Sequence, residues 1–86
     1  MNTIEQIVKN EPLDDIVTVF SLFKPNPHLD MMIRQYNRDL ISQYGALEDA
    51  YKRLIASGVL AHGDKGLAIK GPNWKAPKFM TEKRYA

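Results

Sequence analysis

Residues 47–60 read Leu47-Glu48-Asp49-Ala50-Tyr51-Lys52-Arg53-Leu54-Ile55-Ala56-Ser57-Gly58-Val59-Leu60. Apolar residues recur there at spacings of three and four, and charged residues take the opposite face, so the stretch predicts an amphipathic helix. Glu48 with Lys52, and Asp49 with Arg53, are acid-before-base pairs four residues apart, a spacing that stabilises a helix. Gly58 suits the left-handed position that follows a helix.

The next segment predicts an antiparallel ribbon. Val59 to Ala61 and Leu67 to Lys70 are short apolar runs, and His62 to Gly66 forms a glycine-rich turn with a charged tip between them. Two such runs joined by a five-residue turn are typical of a β-hairpin. Gly71-Pro72 ends the second strand.

Two helices are predicted near the amino terminus. The first begins at Asn2 or Thr3 and ends near Lys9. Pro12 suits the first turn of the second, and the acids that follow it lie at the positive end of the helix dipole. The β-branched run Ile16 to Val19 is compatible with a strand, but the proline and the acids favour a helix. Its predicted buried stripe consists of Leu13, Ile16, Val17, Phe20 and Phe23.

A third, long helix is predicted to begin near Pro27 or His28 and to end at about Tyr44, after a loop at Lys24 to Pro27. Gly45 separates it from the helix of residues 47–57. Its residues Met31, Met32 and Tyr36 either pack in the core or form an adaptable partner surface, and the long helix itself could join two copies of the chain. The predicted apolar stripe consists of Met31, Met32, Gln35, Tyr36, Leu40 and Tyr44.

Composition narrows the class of protein. The chain has 86 residues, of which 44% are hydrophobic and 26% charged, and it has no cysteine. One small domain with one core fits this size, and disulfides and thiolate-bound zinc are excluded. The apolar runs are far shorter than the roughly 18 residues of a membrane span, and residues 1–10 do not resemble a signal peptide. We expect a soluble, cytoplasmic protein from a bacterium or a phage.

Charge is distributed unevenly along the chain. Residues 1–30 carry a net charge of −3, residues 31–60 of +1 and residues 61–86 of +4. Cations in the last segment alternate with Trp74, Phe79 and Tyr85, a composition typical of a nucleic-acid-binding edge. The alternative is that Trp74 and Phe79 pack against the domain and the cations are simply solvated.

No catalytic group is predicted. His28 and His62 are 34 residues apart with no acidic cluster at ligand spacing near either. The serines lie in no nucleophile context, and the glycines form no phosphate loop. We therefore expect a protein without enzymatic activity, metal or cofactor.

The order of helix, turn, helix, Gly58-Val59-Leu60 and a Gly63-Asp64-Lys65-Gly66 tip resembles a winged helix-turn-helix domain over about residues 30–71. The resemblance implies a mainly α fold with a small β-hairpin. It implies a single winged-helix-like domain at residues 1–72, followed by a basic aromatic tail at residues 73–86. In that family the recognition helix corresponds to Ala46 to Ser57 and the wing to His62 to Gly66.

Two functions follow as expectations. The first is a nucleic-acid-binding accessory regulator, in which lysine and arginine side chains of the recognition helix, the wing and the tail contact phosphates. The second is a protein-binding inhibitor, such as an immunity or antitoxin-like protein that neutralises a basic enzyme. The residues proposed to contact nucleic acid are Lys52, Arg53, Lys65, Lys70, Lys75 and Lys78. Those proposed for a protein partner are Glu11, Asp14, Asp15, Glu48, Asp49, Trp74 and Phe79.

Overall fold

The computed structural model describes residues 3–85, which form a mainly helical fold with a small β-hairpin, the class predicted from the sequence. No helix within these residues has the length and apolar character needed to cross a membrane. In chain order the elements are α1 (Thr3–Asn10), α2 (Leu13–Phe20), α3 (Asn26–Tyr36), a 3₁₀ helix (Arg38–Ile41), α4 (Ala46–Ala56), β1 (Leu60–His62), β2 (Ala68–Lys70) and α5 (Lys78–Thr81). Asn2, one of the two predicted starts of the first helix, lies outside the described residues.

The β-branched segment forms helix α2, as the proline and acids favoured. Pro12 directly precedes the helix in an extended conformation instead of occupying its first turn. Ile16 and Val17 are fully buried in the core. Phe23, predicted to share their stripe, is 70% exposed, because α2 ends at Phe20 and the chain turns away.

The predicted long helix is wrong, because the chain breaks at Asn37. Helix α3 begins at Asn26, inside the predicted loop, and ends at Tyr36. Asn37 has φ −157° and ψ 78°, and its side-chain amide donates a 3.1 Å hydrogen bond to the carbonyl of Val8 in α1. Asparagine interrupts helices readily because its side chain competes for backbone partners. A 3₁₀ helix follows the break.

The predicted stripe of this segment is only partly right. Met32, Tyr36 and Leu40 are partly buried and pack against the core, but the other three residues do not. Leu29 and Ile33 of α3, four residues apart, are the fully buried pair. Met31 lies two residues from each, about 200° around the helix, and therefore points to solvent. Gln35 and Tyr44 are exposed as well, and Ile41 enters the core in their place.

Helix α4 matches the prediction to within one residue and buries Leu47, Ala50 and Leu54. It packs most extensively against α2. Its end is a Schellman motif: Gly58, at φ 81°, donates to the carbonyl of Ile55 (3.1 Å), and the N–H of Val59 donates to that of Leu54 (3.0 Å).

The β-hairpin begins one residue later than predicted. Leu60 pairs with Lys70 and His62 with Ala68. The N–H of Ala68 also donates a 2.9 Å hydrogen bond to the carbonyl of Ser21, which ties the hairpin to the end of α2.

The predicted ion pairs within α4 are replaced by a bond between helices. Arg53 Nη2 lies 2.7 Å from Asp14 Oδ1 in α2, and Lys52 has no ion-pair partner among residues 3–85. The pair joins α4 to α2, the two helices that pack against each other.

Residues 73–85 fold back onto the helices. Trp74 Nε1 donates a 3.0 Å hydrogen bond to the carbonyl of Thr18 in α2. Phe79 of α5 is only 4% exposed and belongs to the core. The sequence had allowed this docking as one of two outcomes for the segment.

Candidate nucleic-acid interface

The hairpin places Lys65 at its apex. The carbonyl of Asp64 accepts a 3.0 Å hydrogen bond from the N–H of Leu67, and Lys65 and Gly66 have φ values of 59° and 78°. Two positive φ values in succession are those of a type I′ turn, which suits the twist of a two-stranded ribbon. Lysine is an uncommon occupant of such a position, so its side chain sits there at a conformational cost.

A close backbone crossing positions the lysines after β2. The N–H of Gly71 donates to the carbonyl of Val59 (2.9 Å), and a Cβ added to Gly71 would lie only 2.1 Å from the carbonyl oxygen of Gly58. Only glycine permits this approach. The side chain of Asn73 donates to the carbonyl of Ser57 (2.9 Å), which fixes the chain against the end of α4.

Trp74 supports the neighbouring cation. Lys70 Nζ lies 4.3 Å from the centroid of the Trp74 ring, and Trp74 itself is half-buried and bonded to Thr18. A cation over an indole face is favourable. Trp74 therefore has a structural role, because its Nε1 binds the carbonyl of Thr18 and its ring face holds the ammonium group of Lys70 in place.

Four exposed lysines therefore lie along the hairpin and the segment that follows: Lys65, Lys70, Lys75 and Lys78. We call them the hairpin–tail lysines. Residues 60–81 contain one acidic residue, Asp64. Among residues 3–85 none of the four lysines is ion-paired with a carboxylate, unlike Lys9, Arg34, Arg53 and Arg84.

The outer face of α4 has a different character. Glu48, Asp49 and Lys52 are exposed there, and Arg53 is neutralised by Asp14. Of the two cations predicted on this helix, only Lys52 is available, beside two carboxylates. The helix that the resemblance assigns to base recognition thus carries a net negative outer face.

The acids at residues 11–15, where the chain passes from α1 into α2, interact mainly with other parts of the chain. Glu11 is 6% exposed and accepts two hydrogen bonds from Arg84 Nη1 (3.0 and 2.9 Å) and one from the hydroxyl of Tyr85 (2.6 Å). The bond to Glu11, followed by burial, raises the pKa of Tyr85. Burial, followed by repulsion from Glu11 and Asp14, raises the pKa of Asp15.

The two histidines do not converge. His28 and His62 are both exposed, and the ring of His62 lies 6.1 Å from that of Tyr51. Within residues 3–85 no group of three histidine, aspartate or glutamate residues is placed to hold a metal ion.

Sequence reasoning missed a groove formed by α3, the 3₁₀ helix and the start of α4. It has a volume of about 890 Å³, and Met31 and Tyr44 line it. A second groove of about 350 Å³, which also includes Met31, lies between α1 and α3. The sequence singled out Met31 as one residue of an adaptable partner surface, but it did not predict the end of α3 at Tyr36, after which the chain turns to form the larger groove.

Comparisons with protein families, with curated proteins and with solved structures found no match to this chain.

Proposed function

We propose that this chain is a small, non-enzymatic nucleic-acid-binding protein of the winged-helix type, acting as an accessory regulator in the cytoplasm of a bacterium or phage-infected cell. The observation that carries the proposal is the set of four hairpin–tail lysines, which are exposed and have no carboxylate partner among residues 3–85. Unpaired lysines clustered in one segment are the electrostatic footprint of phosphate binding, since each contact releases condensed counterions.

The arrangement of elements supports the winged-helix part of the proposal. Helix α4 packs on α2, ends at Ala56 and leads through Gly58 into the hairpin. The bond between Ser21 and Ala68 holds the hairpin beside these helices. A hairpin anchored in this way presents its apex, Lys65, as a wing.

The charges assign phosphate binding to the hairpin and tail and not to α4. Lys65 and Lys70 from the hairpin, and Lys75 and Lys78 from the tail, contact phosphates. Glu48 and Asp49 repel phosphates, so α4 stays out of close contact, including Lys52, which lies beside these two carboxylates. Phosphate contacts carry no sequence information, so binding has little sequence preference.

Binding and its salt dependence test the proposal. In a fluorescence anisotropy titration with labelled duplex DNA, four phosphate contacts give a slope of log K against log salt between about −3 and −4. Lys75→Gln makes that slope less steep by about 0.9. Arg53→Gln changes the net charge equally but removes a cation already paired with Asp14, so it serves as the matched control and leaves the slope unchanged.

Two results would overturn the proposal. One is the absence of binding at about tens of micromolar protein in low salt, where even non-specific binders associate. The other is an equal loss of slope in Lys75→Gln and Arg53→Gln, which would mean that only net charge matters.

The inhibitor alternative rests on fewer residues than the sequence suggested. Glu11 and Phe79 are buried, and Asp14 is paired with Arg53. Glu48 and Asp49 remain exposed and free of ion pairs among residues 3–85, and they are the feature that favours a basic protein partner. Capture of a basic enzyme that is lost in the double variant Glu48→Gln/Asp49→Asn, with no DNA binding, would favour this alternative.

A further inference from the structure

A second surface lies apart from the hairpin–tail lysines, in the groove between α3, the 3₁₀ helix and α4. Ile41 and Leu47 line it from the core side, and Met31, 67% exposed, lines it from α3. Tyr44 stands on its rim with its side chain fully exposed. Large apolar side chains left uncovered around a groove are characteristic of protein interfaces.

We propose that this face joins two copies of the chain in a twofold-symmetric dimer. In such an interface the same patch serves both partners, so it must be complementary to itself. A protruding tyrosine beside a groove meets this requirement, because Tyr44 of each copy can fill the groove of the other. Tyrosine is also among the residues that contribute most to binding when they are buried at an interface.

The charges of the groove favour a second copy over other occupants. Asp30 is paired with Arg34 at 2.8 Å, and Arg38, Asp39 and Glu48 also line the groove. Both signs are thus present in nearly equal number around an apolar centre. A nucleic acid would meet three carboxylates, and a strongly charged protein would meet its own sign. A second copy brings the same mixture, so each sign can face its opposite.

The dimer does not depend on the proposed function. The groove shares no residue with the hairpin–tail lysines, and Lys52 and Arg53 do not line it. A chain that fails to bind DNA can still dimerise, and a monomer can still bind DNA. If both hold, the dimer carries two sets of lysines and gains affinity for a duplex long enough to reach both.

Sedimentation velocity tests the proposal on the full chain, from micromolar to submillimolar concentration. Wild-type protein is expected to shift from monomer to dimer over this range. Tyr44→Ala is expected to raise the dissociation constant by about 30-fold for each dominant interface residue lost, and by roughly 1,000-fold in the symmetric dimer, which loses two. Met31→Glu, which places a charge in the centre of the patch, is expected to do at least as much. Because both side chains are exposed, circular dichroism should show both variants folded.

Phe23→Ala is the matched control. Phe23 is as exposed as Met31 but lies outside the groove, so its removal should leave the dissociation constant unchanged. The proposal is overturned if the wild type stays monomeric over the whole concentration range. A monomer that binds an unrelated protein through this face would overturn it as well. It is also overturned if Tyr44→Ala dimerises as tightly as the wild type.

Discussion

Glu11 and Asp15 are acids four residues apart whose surroundings in the folded chain differ: hydrogen bonds stabilise the carboxylate of Glu11, whereas the ionised form of Asp15 is disfavoured. Glu11 is buried but receives three hydrogen bonds from Arg84 and Tyr85. Asp15 has its pKa raised by burial and by the negative charges of Glu11 and Asp14, so its ionised form is disfavoured in the folded chain. The same chemical change, loss of the charge, should therefore have opposite effects at the two positions.

Asp15→Asn is expected to raise the melting temperature at neutral pH. A carboxyl whose pKa is raised on folding costs stability when it ionises, and this cost disappears below about pH 4, where Asp15 is protonated in both states. The difference between variant and wild type should therefore shrink as the pH is lowered. Thermal unfolding followed by circular dichroism at several pH values measures it. A variant less stable than the wild type at pH 7 would contradict the assignment.

Glu11→Gln is expected to lower the melting temperature at neutral pH by several degrees. The amide has no negative charge and offers one acceptor oxygen in place of two, so the three bonds that Arg84 and Tyr85 donate to the carboxylate are weakened or lost. Asp49→Asn, at an exposed position with no ion pair to any of residues 3–85, is the control and should change the melting temperature little. Equal melting temperatures for Glu11→Gln and the wild type would show that the contact of Glu11 with Arg84 and Tyr85 does not stabilise the fold.

Among the helices and strands, the left-handed glycines on either side of α4 differ in what surrounds them. Gly45 precedes the helix at φ 77° with open space where a Cβ would lie. Gly58 follows it at φ 81°, and an added Cβ would lie 2.6 Å from the side-chain nitrogen of Asn73. That nitrogen binds the carbonyl of Ser57, so it cannot move without breaking the bond.

Gly58→Ala is therefore expected to cost more stability than Gly45→Ala. Both substitutions place a Cβ in a left-handed conformation, at a cost of about 1–2 kcal/mol. Gly58→Ala additionally displaces Asn73 from the end of α4. Urea unfolding of both variants gives the two free energies, and equal losses would mean that the contact with Asn73 is unimportant.

Local patterns in the sequence account for α4, its glycine cap and the hairpin. The charged pairs of α4 and the end of α3 could not be predicted in the same way, because residues distant in sequence determine them. Asn37 binds Val8, 29 residues earlier, and Arg53 binds Asp14, 39 residues earlier. The spacing that predicted a bond between Asp49 and Arg53 carries no information about a second helix packed alongside.

The candidate interface was predictable in composition and only partly in position. Lys65, Lys70, Lys75 and Lys78 were identified from the sequence, and the structure shows that all four are exposed; that they bind nucleic acid stays a prediction. Arg53 was identified on the same grounds, but packing gives it a partner. The groove around Tyr44 was not foreseen, because the predicted long helix left no room for it.

Across the protein as a whole, folding pairs some of the acids from the first part of the sequence with cations from the later parts. The acidic surplus of the first 30 residues meets cations from later in the chain, Asp14 with Arg53 and Glu11 with Arg84. These pairs remove two cations and two acids from the surface available to a partner. What remains is an excess of positive charge on the hairpin and tail and of negative charge on the first turn of α4.

The salt dependence of DNA binding by a variant with all four hairpin–tail lysines changed to glutamine tests this account most directly. The slope of log K against log salt should fall from between about −3 and −4 in the wild type to near zero in the variant. Circular dichroism should show the variant folded, since all four side chains are exposed. A folded variant that keeps the wild-type slope would contradict the assignment of phosphate binding to these lysines.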